Sequence, residues 1–226
     1  MAVKGSVNPR SLKRVVAETL LITPSGALSP GPLSASAVAI GALMGPVGGL
    51  LVALGHMLFE LPYVVLLVKW AEKLSRAISK YEKPLNLAVA GFIVFFAYGL
   101  ILDAIAAAHG VVRTSSAMTA STPLGALMVG LVLTAFNPYF LAWWATVGLP
   151  LVRGAAAHGG KGFAAMYSSH VWMDYVWLAL LAAGGAGLSR ITGLYAALLL
   201  GLAAVLLVFA ANLVARGLLG RRLLPF

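Results

Sequence analysis

Two pairs of residues in this chain are spaced for chemistry. His56 and Glu60 lie four residues apart in one apolar segment, and His170 and Asp174 lie four apart in another. Four residues is about one helical turn, so each imidazole shares a face with its carboxylate. Each pair follows a glycine at the same distance, Gly48 eight residues before His56 and Gly162 eight before His170. An ionisable group inside an apolar span costs at least about 2.5 kcal/mol on insertion scales, so it should face an interior or a cavity and have a partner. Glu60 and Asp174 are candidate proton acceptors or counter-charges for a substrate amine. His56 and His170 are candidate relays, because imidazole changes charge near neutral pH. If all four converge they would also suit zinc, manganese, nickel or cobalt; two separate clusters would weaken that alternative. A polar clamp between helices is the plain structural alternative.

Upstream of each pair, a proline motif interrupts an apolar segment: Ser29-Pro30-Gly31-Pro32 before the first, Asn137-Pro138 before the second. Proline removes a backbone donor and clashes with the preceding turn, so these positions should break a helix. In lipid the freed backbone groups must be satisfied by protein, water or ligand. A break facing the bundle interior offers free carbonyls and the positive end of a half-helix, which favours a carboxylate. Ser29, Pro30, Gly31, Pro32, Asn137 and Pro138 are therefore candidate substrate-binding residues, with Ser34 and Ser36 adding hydroxyls nearby. A packing kink is the competing reading.

The elements that must carry these groups follow from composition. The chain has 226 residues, 61% hydrophobic and only 10% charged, against about 25% charged in soluble domains. Its apolar residues come in stretches of roughly twenty, the length that spans a bilayer. The expected fold is an all-α integral membrane domain covering residues 1–226. Six spans are expected: about Val15 to Met44, Pro46 to Trp70, Leu85 to Ala108, Pro123 to Val152, Gly162 to Leu188 and Ile191 to Ala215. Helices 1 and 4 are the broken ones. Met1 to Leu20 shows no signal-peptide cleavage pattern, so the first helix is expected to be retained.

Six spans place fourteen of the 16 Lys and Arg residues on one side. Those are Lys4, Arg10, Lys13 and Arg14; Lys69, Lys73, Arg76, Lys80 and Lys83; Arg153 and Lys161; and Arg216, Arg221 and Arg222. Only Arg113 and Arg190 fall on the other side. By the positive-inside rule both termini are cytoplasmic. The formal charge of +10 is then a matter of topology, and nucleic acid is not an expected partner.

Three spans per repeat is an odd number, so the second copy must enter from the opposite side. Repeat 1 (about 15–108) and repeat 2 (about 123–215) would be inverted, with the site at their interface near the midplane. Residues of about 70–84 read as an amphipathic interfacial helix linking the repeats, or equally as a plain solvated linker. Gly41, Gly45 and Gly49, four residues apart, would let helices approach closely. Trp143 and Trp144, with Tyr139, Trp172, Tyr175 and Trp177, lie close to the motifs; some are candidates to line a substrate cavity, and most read as belt or packing aromatics. Asp103 and Asn212 read as solvated helix ends.

Pro30-Gly31-Pro32, the run Gly41-Ala42-Leu43-Met44-Gly45, and Asn137-Pro138 followed by Trp143-Trp144 together resemble the LysE/RhtB family of amino-acid exporters. The resemblance covers nearly all the chain after residue 15. It implies an inner-membrane carrier, driven by protons or another ion, that moves amino acids or related small metabolites outward. The His-x-x-x-acid elements stand outside that pattern and leave the substrate open. The wider superfamily also holds divalent-cation exporters and thiol–disulfide electron carriers; the absence of cysteine excludes the latter.

An enzyme is not expected. Ser168 is two residues from His170 and off its face, and no GxSxG, HExxH or phosphate loop is present. No cofactor is expected. The expected partners are a small-molecule substrate, a coupling ion and the lipid bilayer, with homo-oligomerisation left open.

Overall fold

The computed structural model describes residues 11–29, 31–112 and 122–220. Every regular element among them is helical. In chain order they are α1 (Leu12–Ile22), α2 (Pro24–Ala27), α3 (Pro32–Met44), α4 (Pro46–Lys80), α5 (Glu82–Ala108), α6 (Pro123–Ala135), α7 (Pro138–Trp143), α8 (Leu149–Ala156), α9 (Gly159–Leu188) and α10 (Thr192–Val214). A π-helical turn, Trp144–Gly148, joins α7 to α8, and another, Ala215–Leu219, follows α10. Four helices are long and apolar enough to cross a membrane, or six spans if each bent pair counts as one. Pro30 lies outside the described residues, as do Lys4, Arg10, Arg113, Arg221 and Arg222, so part of the expected charge asymmetry has no structural counterpart here.

Both breaks have a local cause. Leu12–Ala27 and Pro32–Met44 meet at 73°. Gly31 is extended (φ −165°, ψ 178°) and Pro32 opens α3, where the missing N–H is no loss. Pro123–Ala135 and Tyr139–Ala156 meet at 57°. Asn137 is extended there and its Oδ1 accepts from the Phe140 N–H at 3.3 Å, with Pro138 at the first turn of α7. The π turn stands just before Pro150, which cannot donate back along the helix, and Thr146 Oγ1 donates to the Ala142 carbonyl at 2.6 Å.

The stretch expected to be an amphipathic helix joining the repeats, about 70–84, is helical to Lys80 and runs on from α4 across a kink before α5 begins at Glu82. Trp70 alone departs from helical geometry inside α4 (φ −124°, ψ 19°), and the helix then continues to Lys80.

Glycines set the helix contacts that position the site. A Cβ on Gly55 of α4 would strike the Leu127 carbonyl of α6, and one on Gly130 of α6 would strike the Val52 carbonyl of α4. The two backbones therefore touch, and only glycine fits at both points. Gly41, Gly49 and Gly185 make the same kind of contact, with Ala182, Leu178 and Val38 respectively, and seat α3 and α4 against α9. Such small-residue faces hold helices together where water supplies no hydrophobic drive. One apolar cluster joins α3, α4, α5, α6, α9 and α10, including Ile40, Val52, Leu133, Leu178 and Leu199. A second joins α1, α4, α8, α9 and the Trp143-Trp144 region around Val64, Leu151 and Met166. Outward faces carry exposed Leu66, Phe95, Leu180 and Val208, as lipid contact requires.

Asp103 and Asn212, expected at solvated helix ends, are buried instead, at 2% and 1% exposure. They sit on α5 and α10, which pack against each other; that pairing is invisible in hydropathy.

Candidate functional site

The Gly55–Gly130 contact brings α6 against the turn of α4 that carries His56. One turn past Gly130, the Thr134 hydroxyl lies 2.8 Å from His56 Nδ1. On the other side, Gly49 meets α9 at Leu178, one turn beyond Asp174. The result is a single cluster rather than two. His56 Nε2 is 3.3 Å from Glu60 Oε1 and 4.0 Å from Asp174 Oδ2. His170 Nε2 is 3.3 Å from the same Glu60 oxygen and 3.5 Å from the same Asp174 oxygen. All four side chains are buried.

The imidazoles are oriented by a reciprocal arrangement. Thr134 Oγ1 donates its proton to the Gly130 carbonyl at 2.6 Å. Thr23 Oγ1 donates to the Thr19 carbonyl at 2.7 Å and lies 3.0 Å from His170 Nδ1. A hydroxyl has one proton, so each threonine must accept from its histidine. This assigns N–H to Nδ1 on both rings and leaves both Nε2 atoms facing the carboxylates. Thr23, in the first half of the chain, holds a histidine of the second half, and Thr134 does the converse.

Glu60 is held on both oxygens: Trp144 Nε1 donates to Oε1 at 2.9 Å, and the Tyr167 hydroxyl donates to Oε2 at 3.1 Å. Asp174 Oδ2 has no hydrogen-bond donor among the described residues. Aromatic rings wall the cluster. Trp144 stands edge-on to His170 with centroids 4.7 Å apart, and Phe140 edge-on to His56 at 5.3 Å.

The cluster lines a cavity whose other walls come from the two breaks. Ser29, Gly31, Pro32, Ser34, Asn137, Tyr139 and Trp143 line it together with all four titratable residues. Leu178 belongs to one apolar cluster and Trp144 to the other, and both border the cavity, which places it between them. Its volume is about 70 Å³, against about 10–15 Å³ for one water. That is room for a few waters or a small polar head group. Among the described residues no side chain caps the first turn of α3, whose Leu33 and Ser34 line the cavity. The Trp143 indole donates to Ser25 Oγ at 3.1 Å and ties α7 to the first break.

Eight of the ten expected site residues therefore border one cavity; Pro30 and the Pro138 side chain lie outside the described residues. Of the two roles expected for the tryptophan pair, packing and cavity lining hold rather than a membrane belt: Trp143 and Trp144 are 6% and 0% exposed and both border the cavity. Thr23, Thr134 and Tyr167 were not anticipated as site residues. A hydroxyl in an apolar span was the only signal for the threonines, and nothing in spacing pairs Thr23 with a histidine 147 residues away.

A family model described as LysE type translocator matches residues 24–217. No curated protein and no solved structure gives a significant match.

Proposed function

The chain belongs to the LysE type translocator family, and from that premise we propose a secondary transporter that exports amino acids or related small metabolites across the cytoplasmic membrane, coupled to proton entry. Multi-pass membrane character and a transporter family are the ground on which the finer reading stands. The observation that carries it is the meeting, in one buried cavity, of two helix breaks and two His-x-x-x-acid pairs.

In this reading the substrate carboxylate lies at the uncapped start of α3 near Gly31 and Ser34, with Asn137 opposite. The substrate ammonium faces Glu60 and Asp174. A cation is needed at that point in every state, because two buried carboxylates without a counter-charge are costly. Loading the cluster with protons on one side and with substrate on the other couples the two fluxes. The two halves, as inverted repeats, rock about the fixed site and open it to each side in turn. The reciprocal Thr23–His170 and Thr134–His56 contacts support such a pseudo-two-fold relation. The charge asymmetry supports cytoplasmic termini, and the outward direction rests on the family. A second reading, carriage of a divalent metal ion, is favoured by the convergence of all four groups in one cluster.

The test is transport in proteoliposomes under an imposed pH gradient. Glu60→Gln and Asp174→Asn should each abolish gradient-driven amino-acid flux while leaving the protein folded. Full flux in both amides would refute proton coupling at the cluster.

A further inference from the structure

We infer that the cleft between the end of α4 and α8 is a binding site for the phosphate-bearing headgroup of an anionic phospholipid. The cleft shares no lining residue with the central cavity, and the inference stands whichever solute the protein carries.

Charge is the first argument. Lys73 and Arg76 lie three residues apart in the last turns of α4 and so share a face. Lys69 stands before the kink at Trp70, and Arg153 comes from α8. All four line one cavity of about 290 Å³, to which Glu72 adds a single carboxylate. Four cations and one anion leave its walls at a net charge of +3. Among the described residues none of the four cations is in a salt bridge. Like charges gathered around a concavity focus a positive potential and draw in anions. Arg76 Nε donates to the Glu72 carbonyl at 3.3 Å, which leaves its two terminal nitrogens for the forked pairing that phosphate oxygens accept.

Position is the second, and it selects a lipid over a dissolved anion. α4 changes character at the cavity: Val65 and Val68 are apolar and exposed, and charge begins at Lys69. The stretch of α4 apolar enough to cross a membrane ends at Lys73, so the cavity is level with lipid phosphates. Trp70, 56% exposed, is the amphipathic ring that settles at that level. Val68 itself borders the cavity, so the charged and apolar surfaces are continuous. A phospholipid bound here sets its phosphate among Lys73, Arg76 and Arg153 and its chains along Val65 and Val68. A free phosphate ion offers the same charge to the cations and nothing to the valines. The charge asymmetry of the chain assigns this end to the cytoplasmic leaflet, whose anionic headgroups attract basic segments.

The third is what the site joins. α4 belongs to the first half of the chain and α8 to the second, and the two pack together through Val64, Leu67, Leu151 and Val152. Arg153 on one side and Lys69, Lys73 and Arg76 on the other repel across that contact. A phosphate between them replaces the repulsion by a bridge that both halves share. A ligand that binds this arrangement and not the unfolded chain stabilises the fold in proportion to its concentration over its affinity.

The experiment is thermal unfolding of the whole chain in an uncharged detergent, with phosphatidylglycerol, cardiolipin, phosphatidylcholine or inorganic phosphate added at equal phosphorus. Phosphatidylglycerol and cardiolipin should raise the midpoint saturably, and less so at high salt. Phosphatidylcholine and inorganic phosphate should leave it in place. Lys73→Gln, Arg76→Gln and Arg153→Gln should each raise the half-saturating concentration of phosphatidylglycerol about fivefold, and Arg153→Lys should keep most of the affinity. Lys161→Gln, which removes an exposed cation outside the cavity, should leave it unchanged. The substituted cations are exposed, so lipid-free stability should stay near wild type, and the two α4 variants test the site if an α8 variant does not fold. An equal rise with phosphatidylcholine, or a loss in Lys161→Gln as large as in Arg153→Gln, would overturn the site. A rise with inorganic phosphate that matches the lipids would overturn the choice of a lipid.

Discussion

Replacing Thr134 by valine isolates the contact on which the orientation of His56 depends. The two side chains have nearly the same shape, so the change opens no cavity at a position only 1% exposed. The Gly130 carbonyl loses its hydroxyl donor but keeps its helical N–H, so nothing is orphaned there. What changes is His56, whose Nδ1–H, 2.8 Å from the Thr134 oxygen, now faces a methyl group. A buried donor left unsatisfied costs about 1–3 kcal/mol. At about 1.36 kcal/mol per tenfold, that is about 5- to 150-fold in the folding equilibrium. The ring has one escape: its proton shifts to Nε2 and donates to Glu60 Oε1, 3.3 Å away. Stability is then recovered, but Nε2 is no longer free to accept a cation. Thermal unfolding in detergent and flux in proteoliposomes together catch both outcomes, and at least one must fall. Thr134→Ser keeps the oxygen and should restore both. Wild-type stability and flux in Thr134→Val, or a serine variant as impaired as valine, would refute this account of the histidine clamp.

Two further perturbations probe the neighbours of the cluster. Trp144→Phe removes the N–H that reaches Glu60 Oε1 at 2.9 Å; hydrogen bonds to charged groups contribute about 1.5–3 kcal/mol, so flux should drop at least tenfold while Tyr167 still holds the other oxygen, measured as initial rates in proteoliposomes. Gly130→Ala drives a Cβ into the Val52 carbonyl and forces α4 from α6, so thermal unfolding should show a loss of about 1–3 kcal/mol. Gly184→Ala, where the new carbon meets nothing within 4 Å, should be neutral or slightly stabilising.

Much of the architecture was legible in the sequence because membrane insertion turns composition into geometry. Runs of about twenty apolar residues and proline motifs at matched places led to an all-helical membrane protein with two bent helix pairs, four spans or six if each pair counts as one, and the His-x-x-x-acid repeat led to four titratable groups on two helices. Helical periodicity by itself put His56 with Glu60 and His170 with Asp174, since those contacts are local. Whether the pairs formed one site or two was not legible. That depended on Gly55 meeting Gly130 and Gly49 meeting Leu178, and glycines that allow close approach look the same in sequence as glycines that do not, such as Gly184 and Gly187. The same blindness misplaced Asp103 and Asn212: hydropathy assigns depth along a span but does not say which face of a helix another helix covers. The polar stretch after Trp70 read as an amphipathic helix from its charge spacing, and it is helical to Lys80, set off from the rest of α4 by the kink at Trp70. Residue types thus determined the chemistry available to this protein, and their local spacing determined which groups share a turn. Only the packing of α1, α4, α6 and α9 decided that the two imidazoles face the same two carboxylates, because tertiary contacts join positions such as Thr23 and His170 whose separation along the chain carries no periodic signal.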